Sequence, residues 1–231
     1  MNSTKKAARI AGWLYLVNGL TGFFGIVYVP GRVIVPGDAA ATAENILASE
    51  RLFRLGVVSE LLCAVEFVFL LWVLYRLLVG VNKTHASLML LLGLAFVPVM
   101  CVNLLNEIAA LALLRGGDFL SAFSQPQRQA MAMLLLDMHR YGYVIGWIFG
   151  PWLFFFGLLV FNSGFLPRFL GVLLIAACIG YVADSLTPLL LPSYANLVGR
   201  IASITLTLGE PSIILWFLIR GAKDQPLPAL A

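Results

Sequence analysis

The 231-residue chain is poor in charge: Asp, Glu, Lys and Arg make up 11% of it, against 61% hydrophobic residues. A soluble domain carries about 25% charged residues, so this chain has too little polar surface to face water and must use lipid as solvent. Histidine and cysteine are scarce as well, with two and three copies. Multi-histidine hydrolase patterns, an HExxH helix and a GxSxG nucleophile elbow are all missing. Cys63, Cys101 and Cys178 lie in apolar runs without metal-ligand spacing, which makes them small hydrophobes. Period-two alternation is missing, which argues against a β-barrel, and there is no basic-aromatic motif to suggest nucleic acid as a partner.

What the chain has instead is a mean hydropathy of +0.96 and repeated apolar runs. Runs of about 20 residues exceed the ~18 that marks a helix able to cross a bilayer. The expected fold is therefore all-α, a polytopic membrane bundle of six transmembrane helices over residues 10–29, 55–77, 86–113, 134–161, 169–191 and 197–219. Residues 1–9 form a basic head, and residues 221–231 a polar, proline-rich tail expected to be disordered. The first run is too long for a signal-peptide core and lacks a small-x-small cleavage site. Asn18, Gly22 and Gly25 share one face of it, which allows close helix approach.

Two amphipathic surface helices are expected on the outer side. Pro36-Gly37-Asp38 supplies a turn and an N-cap for the first, and Ser124-Gln125-Pro126-Gln127 resembles a capping box that starts the second, which runs on into the fourth span. Threading six spans puts all four lysines (Lys5, Lys6, Lys83 and Lys223) on one side with Arg9, Arg76, Arg168 and Arg220. By the positive-inside bias that side is cytoplasmic and carries both termini.

The acids distribute unusually. Glu60, Glu66, Glu107, Asp137, Asp184 and Glu210, six of eleven, fall within or at the ends of apolar runs, accompanied only by Arg140 and Arg200. Asn103, Asn106 and Glu107 share one helix face at i, i+3 and i+4, Tyr181 and Asp184 another, and Arg200 and Glu210 align along the last span, where Pro211 is placed to kink it. At about 1.5 Å per residue, Glu60 lies roughly 8 Å and Asp184 roughly 10 Å below the outer ends of their spans, with Glu66 and Glu210 nearer the midplane. Asp137, His139, Arg140 and Tyr143 belong to the stretch LDMHRYGYVIGWIFG near the outer interface. A charge at the bilayer centre costs at least ~2.5–3.5 kcal/mol, so these residues should face protein or water.

Three segments resemble a bacterial membrane-protein family known as domain of unknown function 4386. They are VPGDAAATAENILASERLFRLG, LDMHRYGYVIGWIFG and SGFLPRFLGVLLIAACIGYVADSL, and the likeness extends over nearly all of Ala8 to Gly221. The resemblance implies a six-span bacterial inner-membrane protein, and carries no reaction and no site residues with it.

The simplest common destination for the acids is one outward-facing acidic pocket. Six carboxyls against two arginines require protons or a bound cation. The leading expectation is therefore binding or transport of a cation or small amine-bearing ligand, with Glu107, Asp184 and Glu210 as counter-charges and Tyr141, Tyr143, Trp147 and Tyr181 as aromatic walls. A membrane-embedded metal-dependent hydrolase is the alternative, with His139 and Asp137, Glu107 or Asp184 holding the metal and a glutamate activating water. A non-catalytic partner or sensor protein, whose amphipathic surface helices contact another protein or lipid, is the third; the plainest reading of all treats the polar groups as interhelical glue.

Overall fold

The computed structural model describes residues 3–146 and 149–225, and every element among them is helical. Helix α1 (Thr4–Gly22) continues through a π-helical turn (Phe23–Tyr28) into the short α2 (Val29–Val33). Then follow α3 (Ala39–Ala48), α4 (Glu50–Leu78), α5 (Lys83–Arg115), α6 (Gln125–Gly146), α7 (Pro151–Asn162), α8 (Arg168–Leu190) and α9 (Ala195–Ile219). Among the described residues, five stretches are long and apolar enough to cross a membrane: Thr4–Val33, Glu50–Leu78, Lys83–Arg115, Arg168–Leu190 and Pro192–Ile219. Their outer faces suit lipid, since large apolar side chains such as Trp13, Phe69, Leu91, Ile179 and Ile204 are exposed.

Local chemistry sets the helix starts. Asp38 Oδ1 accepts from the Ala41 amide at 2.9 Å, and Asn82 Oδ1 from the His85 amide at 2.9 Å, each satisfying a donor that the first turn leaves open. At α6 the Ser124 amide donates to Gln127 Oε1 at 2.8 Å, one arm of a capping box. The run 134–161, expected as one span, is two helices. Pro151 has no amide to donate and opens α7, with Gly150 just before it. Helix α7, at about 1.5 Å per residue, is roughly 18 Å long, short of a ~30 Å hydrocarbon core. Trp147, expected as a pocket wall, lies outside the described residues, as do residues 226–231 of the tail.

The chain divides into two compact units. Unit 1 comprises Met1–Val17, Glu66–Val97 and Val144–Ala231. Here α8 packs on α7 and α9 around a core that includes Leu74, Leu153, Phe156, Leu174 and Phe217. Gly157 and Gly171 let α7 and α8 meet backbone to backbone: a Cβ on Gly171 would lie 2.5 Å from the Gly157 carbonyl oxygen. Residues 221–225 are tied down. Thr4 Oγ1 donates to the Lys223 carbonyl at 2.6 Å and accepts from the Gln225 amide at 2.9 Å.

Unit 2 comprises Asn18–Val65 and Pro98–Tyr143. Its smaller apolar core gathers Val33, Ile46, Phe53, Ala110, Leu111, Ala132 and Leu136. The Asn18/Gly22/Gly25 face meets α4: Asn18 Nδ2 donates to the Cys63 carbonyl at 2.8 Å, and a Cβ on Gly22 would lie 3.3 Å from Cys63 Sγ.

Phe156 is fully buried, whereas Phe69 is 57% exposed. Phe156→Ala should therefore cost about 3–5 kcal/mol by lost packing and a cavity, and Phe69→Ala far less. Denaturant titration of the detergent-solubilised variants measures both.

Candidate functional site

Within unit 2 the polar side chains of α4, α5 and α6 converge. Glu60 comes from α4, Asn103, Asn106 and Glu107 from α5, and His139 and Tyr143, one turn apart, from α6. Glu60 is 1% exposed and Glu107 4%, so both carboxyls have left water altogether. His139, Tyr143 and Asn103 are buried with them.

Glu60 Oε2 is the hub. Tyr143 Oη donates to it at 2.6 Å, and His139 Nε2 stands 3.1 Å away, so a proton on Nε2 makes that contact a hydrogen bond as well. The His139 and Tyr143 rings meet edge to face at 5.1 Å. Glu107 Oε2 stands 3.9 Å from His139 Nε2. Asn103 holds the backbone behind the imidazole by donating to the His139 carbonyl at 2.8 Å, and its Oδ1 accepts from Asn106 Nδ2 at 3.2 Å.

Two glycines create the space. A Cβ on Gly142 would lie 2.1 Å from Asn103 Oδ1, so α5 and α6 can approach this closely only with glycine there. Gly25, inside the π-helical turn, lies against α4, where a Cβ would come within 2.4 Å of Glu60 Cγ and 2.9 Å of the Gly56 carbonyl oxygen. π-Turns occur mostly as local insertions in helices, frequently at functional sites, and this one abuts the glutamate at the centre of the cluster.

The cluster is incomplete as a hydrogen-bond network. Glu60 Oε1 and Glu107 Oε2 are buried without a hydrogen-bond partner. One ligand atom each from Glu60, Glu107 and His139 can be chosen so that all three lie within 4.8 Å of one another. Orphaned buried acceptors cost roughly 1–3 kcal/mol each, more when charged, a cost that a cation held by the two carboxyl groups would offset.

Glu210 and Tyr181 sit elsewhere, in unit 1. Tyr15 donates to Glu210 Oε2 and Tyr181 to Glu210 Oε1, the latter at 2.6 Å. Both carboxyl oxygens are thereby bonded, beside Pro211 inside α9. Tyr15 also faces Trp152, with ring centroids 6.4 Å apart. Asp137 pairs with Arg140 at 3.4 Å on an exposed surface, and the Arg140 guanidinium covers the Tyr141 ring at 4.9 Å. Glu66 and Asp184 are half-buried in unit 1, and Arg200 is exposed.

Two contributors escaped the residue-by-residue reading. Tyr15 lacks any charge to draw attention, although it lies three residues before Asn18. Gly25 was read as a packing residue, and only its partner, Glu60, gives it a role in the cluster.

Residues 10–221 match the model of a family described as Domain of unknown function (DUF4386). The chain belongs to that family. A DUF4386 match over that range takes in both polar clusters. The chain is also 36% identical over 89 residues to a protein of Archaeoglobus fulgidus named only as an uncharacterized protein. That alignment covers 38% of this chain and 48% of the archaeal protein, so the chain spans about half the length of that relative. No solved structure matches.

Tyr143→Phe keeps the ring and removes one donor from Glu60. It should destabilise the protein by about 1–3 kcal/mol, because a buried acceptor is left short of a bond. Equilibrium unfolding in detergent gives the value, and Tyr141→Phe, at an exposed position, serves as the control.

Proposed function

We propose that this is an integral membrane protein that binds one divalent metal ion, zinc by preference, between Glu60, Glu107 and His139. The observation that carries the reading is the meeting of two buried carboxyl groups, each with one oxygen left unbonded, and an imidazole, each from a different helix and each offering a ligand atom within 4.8 Å of the others.

Charge decides the valence. Two ionised carboxylates and a neutral imidazole sum to two negative charges, which only a divalent ion cancels in a medium where net charge is costly. Donor chemistry narrows the element. One nitrogen and two oxygens without sulfur do not suit Cu(I), and an imidazole among so few ligands favours a transition-type ion over Mg²⁺ or Ca²⁺. A tetrahedral zinc with bonds of about 2.0–2.1 Å holds its ligand atoms about 3.4 Å apart. Glu60 Oε2, which also accepts from Tyr143, stands 3.1 Å from His139 Nε2, close to that spacing, and Glu107 Oε2, at 3.9 Å, requires only a small side-chain rotation. Three donor atoms this close fit an ion better than an amine-bearing molecule.

The finer topology belongs to the same reading. The apolar end of α6 together with α7 makes a sixth crossing, α3 and the start of α6 lie on the outer surface, and the lysine-rich ends face the cytoplasm of a bacterial inner membrane. Asp137, Arg140 and Tyr141 belong to that outer surface. A hydrolytic role for the ion is the second reading. Three protein ligands is the count of catalytic zinc sites, which keep one position for water.

Purified protein stripped with chelator and then titrated with Zn²⁺ should take up about one equivalent. At a hundredfold excess over Kd it should gain about 2.7 kcal/mol in unfolding free energy. Binding should strengthen as pH rises, because all three ligands hold metal only when deprotonated. Glu107→Gln and His139→Gln should each lose more than the about 10–100-fold that removing an outer-shell partner costs. Uptake that is undiminished in the double variant sinks the proposal.

A further inference from the structure

We infer that unit 1 carries a separate site for an anionic phospholipid, formed where the chain's first helix meets the segment after its last. A cleft of about 550 Å³ opens there. Its rim carries the side chains of Lys5, Arg220 and Lys223, and its apolar lining includes Trp216, Phe165 and Leu166. One acid, Asp224, also lines it, so the cleft keeps a net positive charge. Among the described residues none of the three bases is in an ion pair.

The cleft is built rather than incidental. Three chain segments meet at it and are bonded to one another. The Thr4 amide donates to the Gln225 carbonyl at 3.0 Å, Thr4 Oγ1 to the Lys223 carbonyl at 2.6 Å, and the Lys223 amide to the Phe165 carbonyl at 3.2 Å. Gly221 makes the turn that brings residues 222–225 back: its φ of +71° is left-handed, and its amide donates to the Trp216 carbonyl at 2.9 Å, closing α9. The result holds Lys223 and Arg220 near Lys5 instead of letting them fray into solvent.

Position supplies the choice of ligand. The cleft lies at the ends of α1 and α9, both of which belong to stretches apolar enough to cross a membrane, so it sits at the level where headgroups begin. A second cleft of about 400 Å³ shares Lys5 and adds Lys6 and Arg9, with Ile10 and Trp13 along its apolar side. A basic rim above an apolar wall matches a molecule that is anionic at one end and hydrocarbon at the other. Trp13 is 63% exposed and Trp216 partly buried, the amphipathic rings expected at this depth. A free phosphate would use the rim and leave the wall idle, so the lipid is the occupant assigned.

The test is native mass spectrometry of the full-length protein in detergent micelles doped with phosphatidylglycerol or with phosphatidylcholine. The wild type should retain one phosphatidylglycerol and discriminate against phosphatidylcholine. Each base near an anionic group contributes about a factor of five, so Lys5→Gln, Arg220→Gln and Lys223→Gln combined should lower retention roughly a hundredfold. Lys223→Gln alone, which leaves the packing in place, should lower it about fivefold. Arg128→Gln, in α6, should leave it unchanged, and Zn²⁺ uptake should be the same in all of these variants. Equal retention of the two lipids, or undiminished phosphatidylglycerol in Lys223→Gln and the triple variant, overturns the assignment. Displacement of the lipid by millimolar inorganic phosphate overturns it as well, in favour of a soluble anion.

Discussion

Two carboxylates facing one imidazole, in a place that water does not reach, impose the strictest condition on this protein. Glu60 and Glu107 are delivered by different helices, and one oxygen of each ends without a hydrogen bond. Hydrocarbon offers no solvent to repair such a deficit, so whatever stabilises the cluster must be supplied within it. The surroundings are arranged to keep it in place. Gly25 and Gly142 admit neighbours that no larger residue could, Asn103 fixes the backbone at His139, and Tyr143 aligns Glu60. Such investment in orientation is what a site for an ion requires, because ligand placement within a few tenths of an ångström governs affinity.

Glu210 shows the other solution to the same difficulty. It is also a glutamate inside an apolar helix, but Tyr15 and Tyr181 each give a hydroxyl to one of its oxygens. Neither oxygen of that carboxyl is left without a hydrogen bond. The contrast explains why a count of acids in spans is a poor guide to sites. What separates glue from a binding centre is whether a buried polar atom remains without any hydrogen bond after the neighbours have been placed.

Much of the helical layout was readable from residue type alone. Apolar runs located the five long helices found among the described residues, and Asp38 and Ser124 marked helix starts: the Asp38 carboxylate accepts from a first-turn amide, and Gln127 accepts from the Ser124 amide. The break ahead of Pro151 was harder to see: the apolar run continues across it, and only Gly150-Pro151 punctuates the sequence. The grouping of the acids was not readable. Helical spacing put Asn103, Asn106 and Glu107 on one face, but periodicity within a helix says nothing about which helix that face meets. Glu60 and His139 are 79 residues apart, and their meeting depends on tertiary packing. Asp137, expected as a partner of His139, pairs with Arg140 instead.

X-ray absorption at the zinc edge of the loaded protein reads out the ligand atoms contributed by Glu60, Glu107 and His139. The account predicts a first shell of nitrogen and oxygen only, at about 2.0–2.1 Å, with imidazole scattering that disappears in His139→Gln. Sulfur at about 2.3 Å, or an imidazole signal that survives that substitution, would contradict it.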